Sequence, residues 1–270
     1  MPGRGQGLEL TVKIAISGKG GVGKTTLAAA LAKVLAAEGL SVTAIDADPD
    51  ANLAQAFGIV DRRITPLVEM KSLIQERTGA APGSYGTYFK LNPHVADIPE
   101  QYGLVVDGIR LLTLGTIYQG GGGCACPENV FLRALLSHVV LERDEAVVVD
   151  MEAGLEHLGR ATVMGIDALV VVVEPGLRSL RTASQTVKLA GDIGLRSVYA
   201  VGNKVRTAAH RAFLAEGVKG LPLLGVLSYD EGIAAADLEG RPVYVAAPGL
   251  LAEARMIRQA LAAAREGRGG

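Results

Sequence analysis

The chain has 270 residues, 49% of them hydrophobic and 20% charged, so it can bury the core of one large globular domain. Its 27 basic and 28 acidic side chains give a net charge of −1, which provides no bulk field to attract nucleic acid or an anionic membrane. No secretory signal is visible, and even the apolar run at 168–173 is far too short to span a bilayer. Since there are also only two cysteines, we expect a cytoplasmic protein with no nucleic-acid partner and no stable membrane association.

Short β-branched runs alternate with helical periods along almost the whole chain. Most of the apolar runs are continuous rather than alternating, which is typical of strands covered on both faces. The predicted strands are residues 11–17, 41–45, 109–114, 146–150, 168–174, 197–201 and 223–227. The main helical periods fall at 25–37, 129–141, 179–193 and 250–264. This alternation predicts an α/β fold with a doubly wound, mostly parallel sheet flanked by helices.

No low-complexity linker divides the chain, so we expect a single domain over residues 1–270. Residues 1–10 are polar and rich in glycine, which predicts a flexible leader. Residues 62–110 carry four prolines and form the one irregular stretch, which we interpret as an insertion within the domain. A helix is expected inside it, around residues 66–77.

The first predicted strand leads directly into a glycine-rich loop, residues 18–26, with the sequence Gly-Lys-Gly-Gly-Val-Gly-Lys-Thr-Thr. This matches the phosphate-binding pattern G-x-x-x-x-G-K-[ST] in its required context, between a strand and a helix. The backbone N–H groups and the helix N-terminus favour a phosphate chain. Lys24 should reach the β- and γ-phosphates and the Thr25 hydroxyl should bind Mg²⁺. The predicted nucleotide contacts are Gly20, Gly21, Val22, Gly23, Lys24, Thr25 and Thr26.

A second lysine, Lys19, precedes the paired glycines of this loop. With it the loop resembles the deviant Walker A motif of the signature-lysine P-loop ATPases, which include the nitrogenase iron protein and the septum-site, plasmid-partition and metal-insertion ATPases. The resemblance implies that Lys19 acts catalytically across a nucleotide-sandwich homodimer, on the phosphates of the partner. A solvated loop charge is the alternative.

Carboxylates follow the second predicted strand, at Asp46, Asp48 and Asp50. Carboxyl ends of strands beside a P-loop face the ligand crevice. The resemblance implies that this segment is the first switch, in which Asp48 orients the attacking water and Asp46 supports the Mg²⁺ shell. For Asp50 we favour a different role, as the N-cap of a short helix at 52–57.

A buried strand at 147–149 ends in Asp150, which is the Walker B pattern and predicts that Asp150 holds Mg²⁺ through water. Gly154 matches the glycine of the family's second switch, whose N–H can sense the γ-phosphate. Farther along, the resemblance implies that Asn203 hydrogen-bonds the adenine edge, so that ATP and ADP are favoured over guanine nucleotides. A turn asparagine is the alternative for that residue.

Both cysteines, Cys124 and Cys126, lie two residues apart after a run of four glycines. Two thiolates at this spacing can bind one soft metal ion from one side, but they cannot close a tetrahedral site. A two-fold dimer would complete four sulfur ligands, and the helix that follows would favour the thiolate form. A strained disulfide and two incidental cysteines are the alternatives.

The Cys-x-Cys and four other segments, taken together in this order, resemble one branch of the family. The four segments are the P-loop, the Asp46 to Asp50 segment, the run Asp-Met-Glu-Ala-Gly-Leu-Glu-His at 150–157 and Asn-Lys-Val-Arg at 203–206. That branch comprises the nickel-insertion accessory ATPases of carbon monoxide dehydrogenase and the similar maturation ATPases of acetyl-CoA synthase. The resemblance covers nearly the whole chain. It implies an ATP-hydrolysing, dimeric metallochaperone that binds Ni²⁺ or Zn²⁺ through Cys124 and Cys126 and serves one of those apo-enzymes. His157 is a candidate auxiliary ligand, although a helix-start histidine is the plainer interpretation.

Other functions of the wider family stay open. A passive metal carrier would use the cysteines, but the switch segments favour a protein that hydrolyses ATP. An iron–sulfur protein of the nitrogenase type would take its cysteines from well-separated segments, whereas both cysteines here lie in one segment. A partition or positioning ATPase that acts on a membrane or on DNA is the main alternative. An apolar stripe near the C-terminus indicates a packed helix rather than a membrane anchor, since it contains no Trp or Phe. Its members are Leu250, Leu251, Met256, Ile257 and Leu261.

Overall fold

The continuous apolar runs form the strands of one sheet in the computed structural model. It describes residues 12–48, 50–61, 64–84, 88–115, 126–143, 145–152, 160–218 and 220–267. The strands are β1 (Lys13–Gly18), β2 (Val42–Ala47), β3 (Leu104–Val106), β4 (Ile109–Thr113), β5 (Ala146–Met151), β6 (Ala168–Val173), β7 (Val198–Val205) and β8 (Leu223–Ser228). Among the described residues they pair in the order β3-β4-β2-β5-β1-β6-β7-β8, and β3 is antiparallel to its neighbour. The predicted doubly wound, mostly parallel sheet is confirmed.

Helices connect the strands and cover both faces of the sheet. They are α1 (Lys24–Ala37), α2 (Leu53–Ala56), α3 (Lys71–Thr78), α4 (Ile98–Tyr102), α5 (Pro127–Leu141), α6 (Arg160–Met164), α7 (Leu177–Asp192), α8 (Ala208–Gly217), α9 (Glu231–Glu239), α10 (Val243–Ala246) and α11 (Leu250–Glu266). One face packs on α1 and α11 and the other on α3, α5 and α7, so successive residues of each central strand are buried in two different cores. Within the described part of the chain, no helix combines the length and apolarity needed to cross a membrane.

Helix α1 ends where the chain turns back into the sheet, and the turn explains its glycine. Gly39 has a φ of 87°, its N–H donates to Ala36 O, and the N–H of Leu40 donates to Leu35 O. These two bonds form a Schellman motif, which only a residue tolerant of positive φ closes without strain. The motif places β2 directly after the helix that carries the P-loop lysine.

The segment at 62–110 contains more regular structure than its sequence indicates. The helix expected at 66–77 is a 3₁₀ turn at Leu67–Glu69 followed by α3. The segment also supplies α4 and β3, and β3 forms an edge hairpin with β4 that the sequence analysis does not predict. Asp107 and Gly108 make its turn with φ values of 50° and 79°, as in a type I′ hairpin. The extent of the domain and the leader at 1–10 stay predictions.

Helix α11 packs against α1 and β8, which agrees with the packed helix that the sequence analysis predicts without naming its partners. Leu250, Ile257 and Leu261 are buried, but Met256 is 59% exposed and does not belong to the packed stripe. Met256 directly precedes Ile257, so a helical turn of about 100° per residue carries it away from the core.

Candidate nucleotide site

The P-loop connects the end of β1 to the start of α1, and two of its glycines are required by close contacts. A Cβ on Gly18 would meet the carbonyl oxygen of Val172 at 2.5 Å, and a Cβ on Gly23 would meet Asn203 Nδ2 at 2.1 Å. Gly23 also has a φ of 94° as the residue before the first turn of α1. The loop therefore curls tightly against β6 and β7, and its backbone cannot accept side chains at these points.

Strand register gathers the carboxylates of the site. Asp46 on β2 lies directly beside Asp150 on β5, and Asp150 in turn lies beside Ile16, two residues before the P-loop begins. Lys24 is buried at the start of α1, and its Nζ lies 3.9 Å from Asp48 Oδ2. The buried Lys24 therefore lies near the carboxylates of Asp46, Asp48 and Asp150 at the carboxyl edge of the sheet. These are four of the residues that the sequence analysis predicts to act on the nucleotide and Mg²⁺.

Asp150 is fully buried, and neither of its carboxylate oxygens accepts a hydrogen bond of full geometry from the described residues. Burial raises its pKa to about 7, against a partial lowering by the nearby Thr25 hydroxyl, while the negative charge of Asp46 raises it further. Buried polar atoms without partners are rare and need an explanation. Two unpaired carboxylate oxygens beside a threonine hydroxyl fit Mg²⁺ with its water shell, since this ion prefers oxygen ligands.

Asp46 is more fully bonded than the sequence indicates. Its Oδ1 accepts the N–H of Asp48 at 3.2 Å, and its Oδ2 accepts the N–H of Leu53 at 2.8 Å, at the start of α2. Burial raises its pKa to about 6, although these two backbone bonds lower it in part. Asp46 thus fixes the shape of the first switch segment, and its place in the Mg²⁺ shell stays a prediction.

The N-cap role expected for Asp50 is wrong. Residue Asn52 precedes α2 and its side chain makes no capping bond, while the N–H of Asp50 donates to Asp48 Oδ1 at 3.0 Å. The free N–H at the start of α2 is bonded by Asp46 instead. The Asp46 carboxylate is buried at the end of β2 and lies within hydrogen-bond distance of the Leu53 N–H, whereas Asp50 lies at the surface.

Asn203 lies within β7, which continues two residues beyond it, rather than after a strand as predicted. Its buried Nδ2 donates to Val22 O at 2.7 Å, and its Oδ1 accepts the N–H of Lys204 at 2.7 Å. The amide therefore supports the P-loop from behind. Contact of Asn203 with adenine stays a prediction.

Lys19, the second lysine of the loop, is 39% exposed, and its Nζ lies 3.5 Å from Glu174 Oε1. Glu174 directly follows β6 and also pairs with Lys204, whose Nζ lies 3.0 Å from Glu174 Oε2. The sequence analysis assigns no role to Glu174 or Lys204. The signal was present, because Glu174 follows β6, the strand beside β1, and Lys204 lies near the carboxyl end of β7, the next strand in the sheet.

Cys126 is described and half-buried, and it is the N-cap residue of α5, where its carbonyl accepts the N–H of Val130 at 3.1 Å. Cys124, Gly154 and His157 lie outside the described residues. Within the described part of the chain, no group of three or more His, Cys, Asp or Glu side chains could hold a metal ion. The metal site proposed from the sequence is therefore not tested by the described residues.

A P-loop with a second lysine, a Walker B carboxylate and a switch carboxylate on a parallel sheet define the class of signature-lysine P-loop ATPases. The chain belongs to the CobQ/CobB/MinD/ParA nucleotide binding domain family, whose model matches residues 13–243. It is 45% identical over 253 residues to the carbon monoxide dehydrogenase accessory protein CooC of Rhodospirillum rubrum, covering 93% of this chain and 96% of that protein. The predicted resemblance and the predicted ATPase activity are thereby confirmed.

Other relatives support the same class. An uncharacterized ATP-binding protein of Methanocaldococcus jannaschii is 45% identical over 235 residues, which is 86% of this chain and 91% of that protein. Among solved structures, a ParA family ATPase from Chlorobium tepidum matches with a TM-score of 0.67 at 19% identity over 93% of this chain and 98% of its own. A chain of the MinC:MinD cell division protein complex of Aquifex aeolicus matches with a TM-score of 0.66 at 20% identity, over 92% of this chain and 96% of its own. At these identities the two structures establish the fold alone.

Proposed function

We propose that this ATPase is a nucleotide-dependent, dimeric metallochaperone. In this proposal it binds Ni²⁺ or Zn²⁺ through Cys124 and Cys126 and assists nickel insertion into carbon monoxide dehydrogenase or acetyl-CoA synthase. The observation that carries the proposal is the extended similarity to a protein named as an accessory to carbon monoxide dehydrogenase. The cytoplasm is the proposed location, because a cysteine pair stays reduced there.

The positions of the described side chains support the following nucleotide chemistry. Lys24 balances the charge of the β- and γ-phosphates, and the phosphates displace Asp48 from its contact with Lys24 at 3.9 Å. The released Asp48 carboxylate is then free to orient the attacking water. Asp150 and Thr25 would hold Mg²⁺, which supplies charge neutralisation at the phosphate oxygens when bound. Asn203 keeps the loop in its curled form throughout.

The cargo site is supported by the position of Cys126. Helix α5 follows a parallel strand and leads back to the next one, so it starts at the carboxyl edge of the sheet, the edge that carries the nucleotide site. The N-terminal end of a 15-residue helix also favours the thiolate over the thiol. A second copy of the chain would bring the same pair of cysteines and complete four sulfur ligands.

The test is activation of purified apo-enzymes by this protein with MgATP and Ni²⁺. Wild type should activate one of the two clients, carbon monoxide dehydrogenase or acetyl-CoA synthase. Asp48→Asn should bind ATP and fail to activate, because only water orientation is lost. The Cys126→Ser variant should hydrolyse ATP and fail to activate. If Cys126→Ser supports activation as well as wild type does, metal delivery by this site is rejected.

A further inference from the structure

Lys19 of the P-loop forms a charged cluster with Glu174 and Lys204, two residues to which the nucleotide chemistry above gives no role. The Glu174 carboxylate lies between two ammonium groups, 3.0 Å from Lys204 Nζ and 3.5 Å from Lys19 Nζ. Lys204 Nζ also donates to the carbonyl oxygen of Gly21 at 2.6 Å. The cluster thus joins the signature lysine, the P-loop backbone and the end of β7.

The backbone holds Glu174 and Lys204 in place. The N–H of Glu174 donates to Ser179 Oγ at 3.0 Å, and Ser179 is buried in the first turn of α7. Lys204 has a φ of 57°, and its N–H is bonded by the neighbouring Asn203 amide. Because β6 and β7 are paired in parallel, the two residues emerge side by side at the carboxyl edge of the sheet.

The two ion pairs of Glu174 are unequal. The contact with Lys204 is shorter and is supported by the bond from Lys204 to the P-loop backbone, whereas the contact with Lys19 is longer and the Lys19 side chain is also partly exposed, to about the same extent as that of Lys204. Burial works against the ionised form of Glu174, but the two lysines, Lys204 foremost, keep its pKa below the usual value, so it is charged at neutral pH. Exposed ion pairs of this kind are weak, and a nucleotide phosphate carries more charge than a carboxylate. Lys19 can therefore leave while Lys204 stays.

We propose that Glu174 is a positioning residue for Lys19, which it holds on its own subunit until a nucleotide phosphate replaces the carboxylate. This inference rests on the proposed nucleotide-dependent dimer, in which Lys19 serves the phosphates of the partner. Lys204 weakens the ion pair between Glu174 and Lys19, because it pairs with the same carboxylate. The cluster then determines the protein concentration at which ATP drives association.

The test compares Glu174→Gln with Lys204→Met. Glu174→Gln keeps the shape and removes the charge that competes for Lys19, so MgATP-driven association should tighten by about two- to fivefold, the range of an exposed ion pair. Lys204→Met leaves the whole carboxylate to Lys19, so association should weaken. Sedimentation velocity with MgATP and a chelator of soft metals gives the dimer constants. Glu216→Gln, an exposed charge change on α8, should leave them unaltered.

A merely structural role predicts the opposite pattern. If Glu174 and Lys204 only brace the P-loop, both variants lose ATP affinity in dilute solution and both associate more weakly, and this result would overturn the proposal. If wild type does not associate with MgATP at all, the dimer itself fails and acetylation of Lys19 decides the inference. Limited acetic anhydride labelling, read by mass spectrometry, should label Lys19 about twofold more in Glu174→Gln, relative to Lys188. Unchanged labelling would reject the pairing.

Discussion

Asp150 carries a carboxylate that folding removes from water without giving either oxygen a full hydrogen bond among the described residues. Its pKa rises from 3.8 in the unfolded chain to about 7 in the folded one. A raised carboxyl pKa means that the folded state prefers the protonated form, so the group costs no stability below about pH 4. The cost grows as the pH rises and is complete above pH 7.

Replacing Asp150 by asparagine should therefore stabilise the nucleotide-free chain. At pH 8 the gain in the free energy of unfolding should be on the order of 4 kcal/mol, because the pKa rises from 3.8 to about 7 on folding and each pKa unit corresponds to about 1.4 kcal/mol. At pH 5 the gain should be smaller. Urea unfolding in the presence of a chelator measures both values.

Asp237→Asn, at an exposed position of α9, serves as the control and should be neutral within about 0.5 kcal/mol at both pH values. Added MgATP should stabilise wild type and leave Asp150→Asn almost unaffected. An Asp150→Asn variant that loses stability at pH 8 would show that the carboxylate has a bonded structural role.

At the scale of elements, α11 offers a matched pair of neighbours. Ile257 is 1% exposed and touches the space beside Gly225 on β8, whereas Met256 is 59% exposed. Ile257→Ala should lower the free energy of unfolding by about 2–4 kcal/mol, since it leaves a cavity between α11 and the sheet. Met256→Ala should cost less than about 0.5 kcal/mol. Chemical denaturation checks both.

The same two variants distinguish a helix packed on the sheet from a helix that anchors the protein to a membrane. If α11 inserted its apolar stripe into lipid, Ile257→Ala would weaken sedimentation with anionic vesicles and leave stability nearly unchanged. The packing observed here leads us to expect no vesicle binding in wild type and a clear loss of stability in the variant.

The central elements could be predicted from the sequence because each is a long, continuous apolar run or an alanine-rich helical period. The short β3 was missed because only three residues pair, and Val105 within it is 62% exposed, so no apolar pattern marks it. The Asp107–Gly108 turn is a recognisable hairpin signal that would have located it. The sequence analysis ends the strand before Asn203, because the last residues of β7 include the polar Asn203 and Lys204 and do not continue the apolar run.

The hydrogen-bond partners of the side chains were harder to predict than the residues that lie in the nucleotide site. The motif spacing brings Lys24, Asp48 and Asp150 together, and the strand register agrees. The hydrogen bonds of Asp46 to Leu53 and of Asn203 to Val22 join residues whose proximity depends on loop paths rather than on spacing. The sequence contains no periodicity that specifies such paths.

At the scale of the whole molecule, the proposed cargo site needs two chains. One Cys-x-Cys provides two thiolates, and soft ions in sulfur-rich sites take about four ligands, so we expect about one Ni²⁺ or Zn²⁺ per two chains. Metal analysis of gel-filtered protein, with its mass from light scattering, measures this ratio. Affinity should fall below neutral pH because the ligands must be deprotonated.

Variants of the cysteines test that ratio. Cys124→Ala and Cys126→Ala should each abolish tight binding and the intense sulfur-to-nickel absorption. His138→Ala is the control, since the partly buried His138 pairs with the exposed Glu142 at 2.8 Å on α5 and supplies no ligand in the proposal. A double-cysteine variant that still binds one tight ion per dimer would exclude the shared site.

The order of strands has a consequence for how the protein emerges from a ribosome. The P-loop is near the start of the chain, yet it is flanked by β5 and β6 and supported by Asn203 on β7, so its neighbours are up to 181 residues away in sequence. Non-local pairing of this kind forms late, because long loops must close first. A nascent chain that stops before β7 should expose the apolar faces of β1 and α1 and bind no nucleotide. ATP binding therefore reports completed synthesis of at least the first seven strands, and chaperones would have to protect the earlier intermediates.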